Sequence, residues 1–123
     1  MKKIKVYVAT HKKADFPKNS IYVPIEVGAY NKEKFTKITD NTGDNISSKN
    51  ANYCELTATY WIMKNDKSDV VGLTHYRRYF FKKHTNQISQ VLERQDIEGL
   101  LKEYDMIVPN KTYLFKYKNI KEA

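Results

Sequence analysis

The sequence predicts an α/β domain built on a mainly parallel sheet, and three observations predict it. Apolar runs of strand length recur at Lys3 to Ala9, Ile21 to Val27, Asp69 to Thr74 and Asp105 to Val108. Segments of helical period lie between them, giving the order strand, loop, helix, strand, helix, strand, which favours parallel pairing with helices on the faces. The chain has 123 residues, 41% of them apolar, enough for one domain with a sizeable core.

In the first strand Ile4, Val6 and Val8 share one face. It runs into the polar loop Thr10-His11-Lys12-Lys13. In the second, Pro24 lacks an N–H and limits the segment to an edge or a bend. Residues 40–50 are turn formers almost throughout and read as a long loop. A helix follows over about Tyr53 to Lys64. Its apolar stripe is Tyr53, Leu56, Tyr60 and Met63, widened by Cys54, Ala58, Trp61 and Ile62, so the helix is expected to be largely buried. Asn52 with Glu55 three residues later has the spacing of a capping box. Ile88, Val91 and Leu92 suggest an isolated turn. Ile97, Leu100, Leu101 and Tyr104 have helical spacing, with Asp96 as the cap. Pro109 closes the last strand. His84 follows two lysines and reads as solvated surface. The segment Tyr113-Leu114-Phe115-Lys116-Tyr117 lacks a clear terminating element.

Net charge is +8, from 22 Lys+Arg against 14 Asp+Glu. That favours anionic partners: nucleic acid, an anionic membrane face or a phosphorylated small molecule. A lysine-rich proteome would produce the same balance. Cys54 is the single cysteine, so no disulfide forms within the chain, which suits a reducing compartment. No run of about 18 apolar residues signals a membrane span, and the first residues read as a strand, not a signal peptide. The expected location is the cytoplasm, with the basic surface able to touch the inner face of the membrane. Gly-x-Gly-x-x-Gly, Walker and Cys/His metal spacings are absent, as is Asp-x-Asp at a strand end, so no metal site is expected.

Ligands of parallel sheets bind beyond the carboxyl ends of the strands. That rule places Thr10-His11, His75-Tyr76-Arg77-Arg78 and Pro109 to Lys111 on one rim. In a strand continued past Thr74, Arg77 and Arg78 would face opposite sides and one would enter an apolar layer, at a cost of about 3–5 kcal/mol if unpaired. Either the strand ends near Thr74 or each arginine has an anionic partner. That partner is a bound phosphate or carboxylate, or an internal acid such as Glu55 or Asp69. His75 and His11 are each either structural hydrogen-bonders or an acid/base or phosphate ligand. Asp44, Asn45, Ser47 and Asn50 lie just before the helix, where short polar side chains can hold a sugar or nucleobase or simply form turns.

Four motifs then appear in order: Lys5-Val6-Tyr7-Val8-Ala9-Thr10-His11-Lys12-Lys13, Thr42-Gly43-Asp44-Asn45-Ile46-Ser47, Asn52-Tyr53-Cys54-Glu55-Leu56-Thr57-Ala58-Thr59-Tyr60-Trp61-Ile62, and Val71-Gly72-Leu73-Thr74-His75-Tyr76-Arg77-Arg78-Tyr79-Phe80, extended by Tyr104-Asp105-Met106-Ile107-Val108-Pro109. Together they resemble a bacterial family long known only as a domain of unknown function, found in capsular and exopolysaccharide loci and regarded as glycosyltransferases. The resemblance covers the N-terminal part of the family domain, which runs well beyond this length. Residues 1–123 would therefore be the nucleotide-sugar-binding part of one glycosyltransferase domain, cut short by truncation, a frameshift or a split gene.

The resemblance implies a GT-A-like, Rossmann-like fold. It also implies a nucleotide-sugar donor, of UDP type, and a glycan or lipid-linked glycan acceptor. In such enzymes the strand after the central helix ends in Asp-x-Asp, which holds a metal on the donor diphosphate. Here that strand ends in His75-Tyr76-Arg77-Arg78, so His75, Arg77 and Arg78 are expected to take the metal's place. By the same resemblance Thr10 and His11 line the nucleotide pocket, Tyr76 joins them, and Asp44, Asn45, Asn50 and Glu55 contact base, ribose or sugar. Two other classes compete: a nucleotide-binding remnant that needs a partner chain, and a basic nucleic-acid-binding module. Against the latter, Asp44 would repel a phosphate backbone.

Overall fold

The computed structural model of the chain describes residues 2–31, 33–83 and 87–109. His84, Lys111 and the segment 113–117 lie outside them. Four strands, β1 (Ile4–Thr10), β2 (Tyr22–Glu26), β3 (Ile38–Thr39) and β4 (Val70–His75), form one sheet in the order β3-β2-β1-β4. All three pairings are parallel, so Thr10, Glu26, Thr39 and His75 end on the same rim. The two-residue β3 has no counterpart in the sequence pattern. Pro24 sits where an edge is locally available. Val6 N–H donates to Ile21 C=O and Val27 N–H to Thr10 C=O. The odd-numbered residues of β2 therefore face β1, and Pro24 turns its missing donor to the other side, where β3 reaches only Ile25 and Glu26.

Both faces of β1 are buried. Ile4, Val6 and Val8 pack with Ile21, Tyr22, Val91 and Ile97 on one side; Tyr7 and Ala9 pack with Ile25, Val27, Ala58 and Ile62 on the other. The second layer is capped by α2 (Leu56–Asn65), which α1 (Asn50–Tyr53) precedes, and the first by α3 (Arg94–Glu103).

The central helix departs from its expected form. It is broken at Cys54, whose φ is 51°, and Glu55 stands before α2 without a side-chain cap bond. The expected capping box does not form. Instead the Asn50 amide nitrogen donates to Cys54 C=O at 2.8 Å and to Thr57 Oγ1 at 3.0 Å. The buried face is also different. Thr57, Ala58 and Ile62 are buried, whereas Leu56 and Met63 are 59% and 74% exposed. The break resets the helical phase, and Thr57 is drawn inward by a buried acid, Asp40.

Single 3-10 turns occupy Ser47–Lys49 and Ile88–Gln90. Glu93 caps α3, and Asp96, expected as the cap, is its capping-box partner, accepting Glu93 N–H at 2.8 Å. Asp105 to Val108, expected as a strand, pairs with nothing among the described residues, although Ile107 packs on the Ile4, Val6 and Val8 side of the sheet. Among the described residues no helix is long and apolar enough to cross a membrane.

Candidate functional site

β4 stops at His75 because the chain turns. His75 N–H donates to Arg78 C=O at 3.2 Å and Arg78 N–H to His75 C=O at 2.8 Å, closing a turn on Tyr76 and Arg77. Tyr76 stays anchored, its N–H donating to Ala9 C=O at 3.0 Å and its side chain buried. The two arginines are thrown outward and exposed. The choice left open by the residues is resolved for both internal acids. Glu55 lies 3.2 Å from His75 Nε2, and Asp69 accepts Lys3 N–H at 2.7 Å. Among the described residues no carboxylate pairs with Arg77 or Arg78.

The Tyr76 ring collects polar neighbours. His75 lies 4.4 Å from it and His11 meets it edge-on at 5.4 Å. The Arg77 guanidinium sits at 5.2 Å and the Lys12 ammonium at 5.8 Å, both within cation–π range. Lys12 is brought there because Thr10 Oγ1 donates to its carbonyl, folding the loop back over the strand end. Lys12 was not among the residues expected at the site. Its only sequence signal is its place two residues beyond a strand end. Next to the arginines opens a cleft of about 730 Å³, lined by Glu55, Thr74, His75, Arg77, Arg78 and Pro109 among others.

His75 has a defined hydrogen-bonding role. Its Nδ1 accepts Arg77 N–H at 3.3 Å, which leaves the proton on Nε2, facing Glu55. Burial pushes its pKa below the ordinary value; Glu55 opposes this, while Arg77, His11 and Arg78 add to it. Positive charge at neutral pH therefore resides on Arg77, Arg78 and Lys12. A pH dependence follows. The unfolded histidine takes up a proton near pH 6.5 and the folded one only below that, so acidification through about pH 6.5 favours the unfolded state. Melting temperature is expected to fall between pH 7.5 and 5.5, and to fall less in His75→Gln. Glu55→Gln removes the one group that raises the His75 pKa, so the imidazole should titrate lower still when followed by NMR. An upward shift would contradict this geometry.

The polar loop goes elsewhere. Asn65 Nδ2 donates to Asp44 C=O at 2.9 Å, Trp61 Nε1 to Thr42 Oγ1 at 2.9 Å, and Tyr60 OH to Asp44 Oδ1 at 2.8 Å. Asn65 is about 15 Å along the helix from Glu55, so Asp44 is held towards the far end of α2. Asn45 bonds Gly43 C=O and Ser47 N–H. The structure thus gathers His11, Glu55, His75, Tyr76, Arg77 and Arg78 at the rim, with the Thr10 hydroxyl and the Asn50 amide holding backbone beside them. It does not bring Asp44 there. Two buried acids escaped sequence reading. Glu26, at the end of β2, accepts Phe35 N–H at 3.0 Å with one oxygen, and among the described residues the other has no partner. Asp40 accepts bonds from Gly28 N–H, Ala29 N–H, Ser47 Oγ and Thr57 Oγ1. Within the described residues no group of three or more His, Cys, Asp or Glu is arranged to hold a metal ion.

Residues 5–123 match a family model described as a domain of unknown function, DUF4422. A solved apo structure of the WbbM bifunctional glycosyltransferase is similar to this chain at 44% identity and a TM-score of 0.61, over 68% of this chain and 15% of that one. The chain thus spans a small fraction of that protein's length. None of the curated proteins matches.

Proposed function

The chain belongs to the DUF4422 family, which is related to glycosyltransferases, and on that premise we propose that it forms the nucleotide-sugar-binding part of a glycosyltransferase domain. The donor is a nucleoside diphosphate sugar, of UDP type. The acceptor is a capsular or exopolysaccharide glycan, free or lipid-linked, met at the inner face of the membrane. One observation carries the reading: Arg77 and Arg78 leave the end of a parallel strand with no acid among the described residues to pair with, beside a cleft at the rim where such sheets bind ligands. Two guanidinium forks can grip a diphosphate bidentately. They can then stabilise the charge that grows on the departing nucleoside diphosphate as the sugar–phosphate bond breaks. Lys12 adds charge, and Tyr76 is the buried platform beneath the cations. His75, held by Glu55, donates or positions but does not neutralise. His11, Thr10 and Asn50 border the nucleotide.

Calorimetric titration with UDP and UDP-sugars, with and without manganese and at two salt concentrations, tests this. Binding that manganese leaves unchanged is expected. Binding only with manganese would move the diphosphate to acids elsewhere. Binding to polyanions of any sequence with a steep salt slope would favour a nucleic-acid module instead.

A further inference from the structure

A hydroxyl that attacks a sugar carbon gives up its proton, so a site that holds the donor diphosphate also needs a group to take that proton. The polar side chains lining the cleft at the end of β4 are Glu55, Thr74, His75, Arg77, Arg78 and Tyr79. The arginines stay protonated. His75 has no lone pair to offer: its Nδ1 accepts Arg77 N–H at 3.3 Å, and its Nε2 carries the proton that faces Glu55. The Thr74 hydroxyl donates to Tyr7 C=O at 3.2 Å. Burial pushes the Tyr79 hydroxyl up to about 12, so it keeps its proton at neutral pH. Among the described residues of the cleft wall, Glu55 alone is left to accept one.

Glu55 is also held for that task. Its Oε1 lies 3.2 Å from His75 Nε2, and the imidazole is fixed in turn by Arg77 N–H. A carboxylate oriented by a second, anchored group is the arrangement that general-base chemistry calls for. Its Oε2 has no partner among the described residues, and the side chain is 49% exposed, so an acceptor can reach it.

We infer that Glu55 is the catalytic base of the sugar transfer, an inference that rests on the donor site proposed at Arg77 and Arg78. The acceptor O–H bond breaks, its proton passes to Glu55 Oε2, and the oxygen's electron pair forms the bond to C1 of the sugar. The bond from C1 to the β-phosphate oxygen breaks on the opposite face, and its electron pair leaves with UDP between the arginine forks. Glu55 then returns the proton to water. A single displacement of this kind inverts C1.

The test is UDP release from UDP-glucose, UDP-galactose and their N-acetylhexosamine counterparts by the 123-residue chain, with water as acceptor, beside calorimetric UDP binding to the same preparations. Glu55→Gln should lower kcat by about 10²–10⁴-fold and leave UDP affinity unchanged. Glu55→Asp keeps the carboxylate but withdraws it by one methylene, and should recover part of the rate. From these α-linked donors the first free sugar seen by NMR should be the β anomer. A Glu55→Gln chain that releases UDP as fast as the parent overturns the inference. So does an α anomer formed first, or a parent chain that binds UDP and releases none from any of the donors. In each of those cases UDP binding, and its loss when Arg77 and Arg78 are both replaced by alanine, would leave the donor site standing. A parent chain that binds no UDP overturns both.

Discussion

Replacing Arg77 and Arg78 together by alanine is expected to weaken UDP binding about a hundredfold or more and to leave the melting temperature unchanged. A hydrogen bond to a charged group contributes roughly 1.5–3 kcal/mol, and about 1.4 kcal/mol corresponds to a factor of ten. Two arginines thus account for at least two orders of magnitude. Stability should not move, because both guanidinium groups are exposed and neither is paired with a described carboxylate. The lysine pair separates charge from geometry. It keeps the net charge of the chain but loses the planar fork, so it should recover only part of the affinity. Undiminished UDP binding in the double alanine variant would sink the diphosphate site. A fall in melting temperature would show that the arginines serve the fold.

The same residues show how far sequence carries. Val70 to His75 is legible as a strand because its apolar run is short, β-branched and bounded by turn formers. The arginines posed a question that only the path of the chain answers. The turn from His75 to Arg78 depends on two backbone bonds that no residue type announces. Convergence of His11 on His75 follows from parallel pairing of β1 and β4, so it was legible once the sheet type was. The buried face of the central helix was not. Periodicity favoured the larger side chains, Leu56 and Met63, yet the sheet takes Ala58 and Ile62, and Thr57 turns inward to meet Asp40. A helix broken at Cys54 cannot keep one stripe across residues 53 and 56. The polar loop is ambiguous for a related reason. Asp, Asn and Ser suit ligands, turns and caps equally, and here Asp44 and Asn45 serve the loop and the far end of α2.

Asp40 is where that ambiguity hides the largest stability effect. Placed before Asn41-Thr42-Gly43, it reads as a turn residue; in the structure it is fully buried. Its Oδ2 accepts Gly28 N–H at 2.7 Å and Thr57 Oγ1 at 2.7 Å; its Oδ1 accepts Ala29 N–H at 3.0 Å and the Ser47 hydroxyl. One carboxylate thus ties the turn after β2 to the start of α2. Gly28 must stay there: its φ is +65°, and a Cβ would lie 2.7 Å from Asn50 Oδ1. Asp40→Ala strands two backbone donors that cannot turn round, each worth roughly 1–3 kcal/mol when left unsatisfied. The expected loss is about 3–5 kcal/mol, a large part of the roughly 5–15 kcal/mol that holds a domain together. Melting temperature should fall by about 10–25 °C. Asp40→Asn is no rescue. Its amide nitrogen must point at one of the two backbone N–H groups, so it should recover less than half of the loss. Ser47→Ala should cost less than either, because it removes one donor and leaves the carboxylate bound by three others. Thermal unfolding of the three variants would establish the order. If Asp40→Asn melts with the parent chain, the carboxylate does not organise this corner, and the placement of Glu55 against His75 must rest on something else.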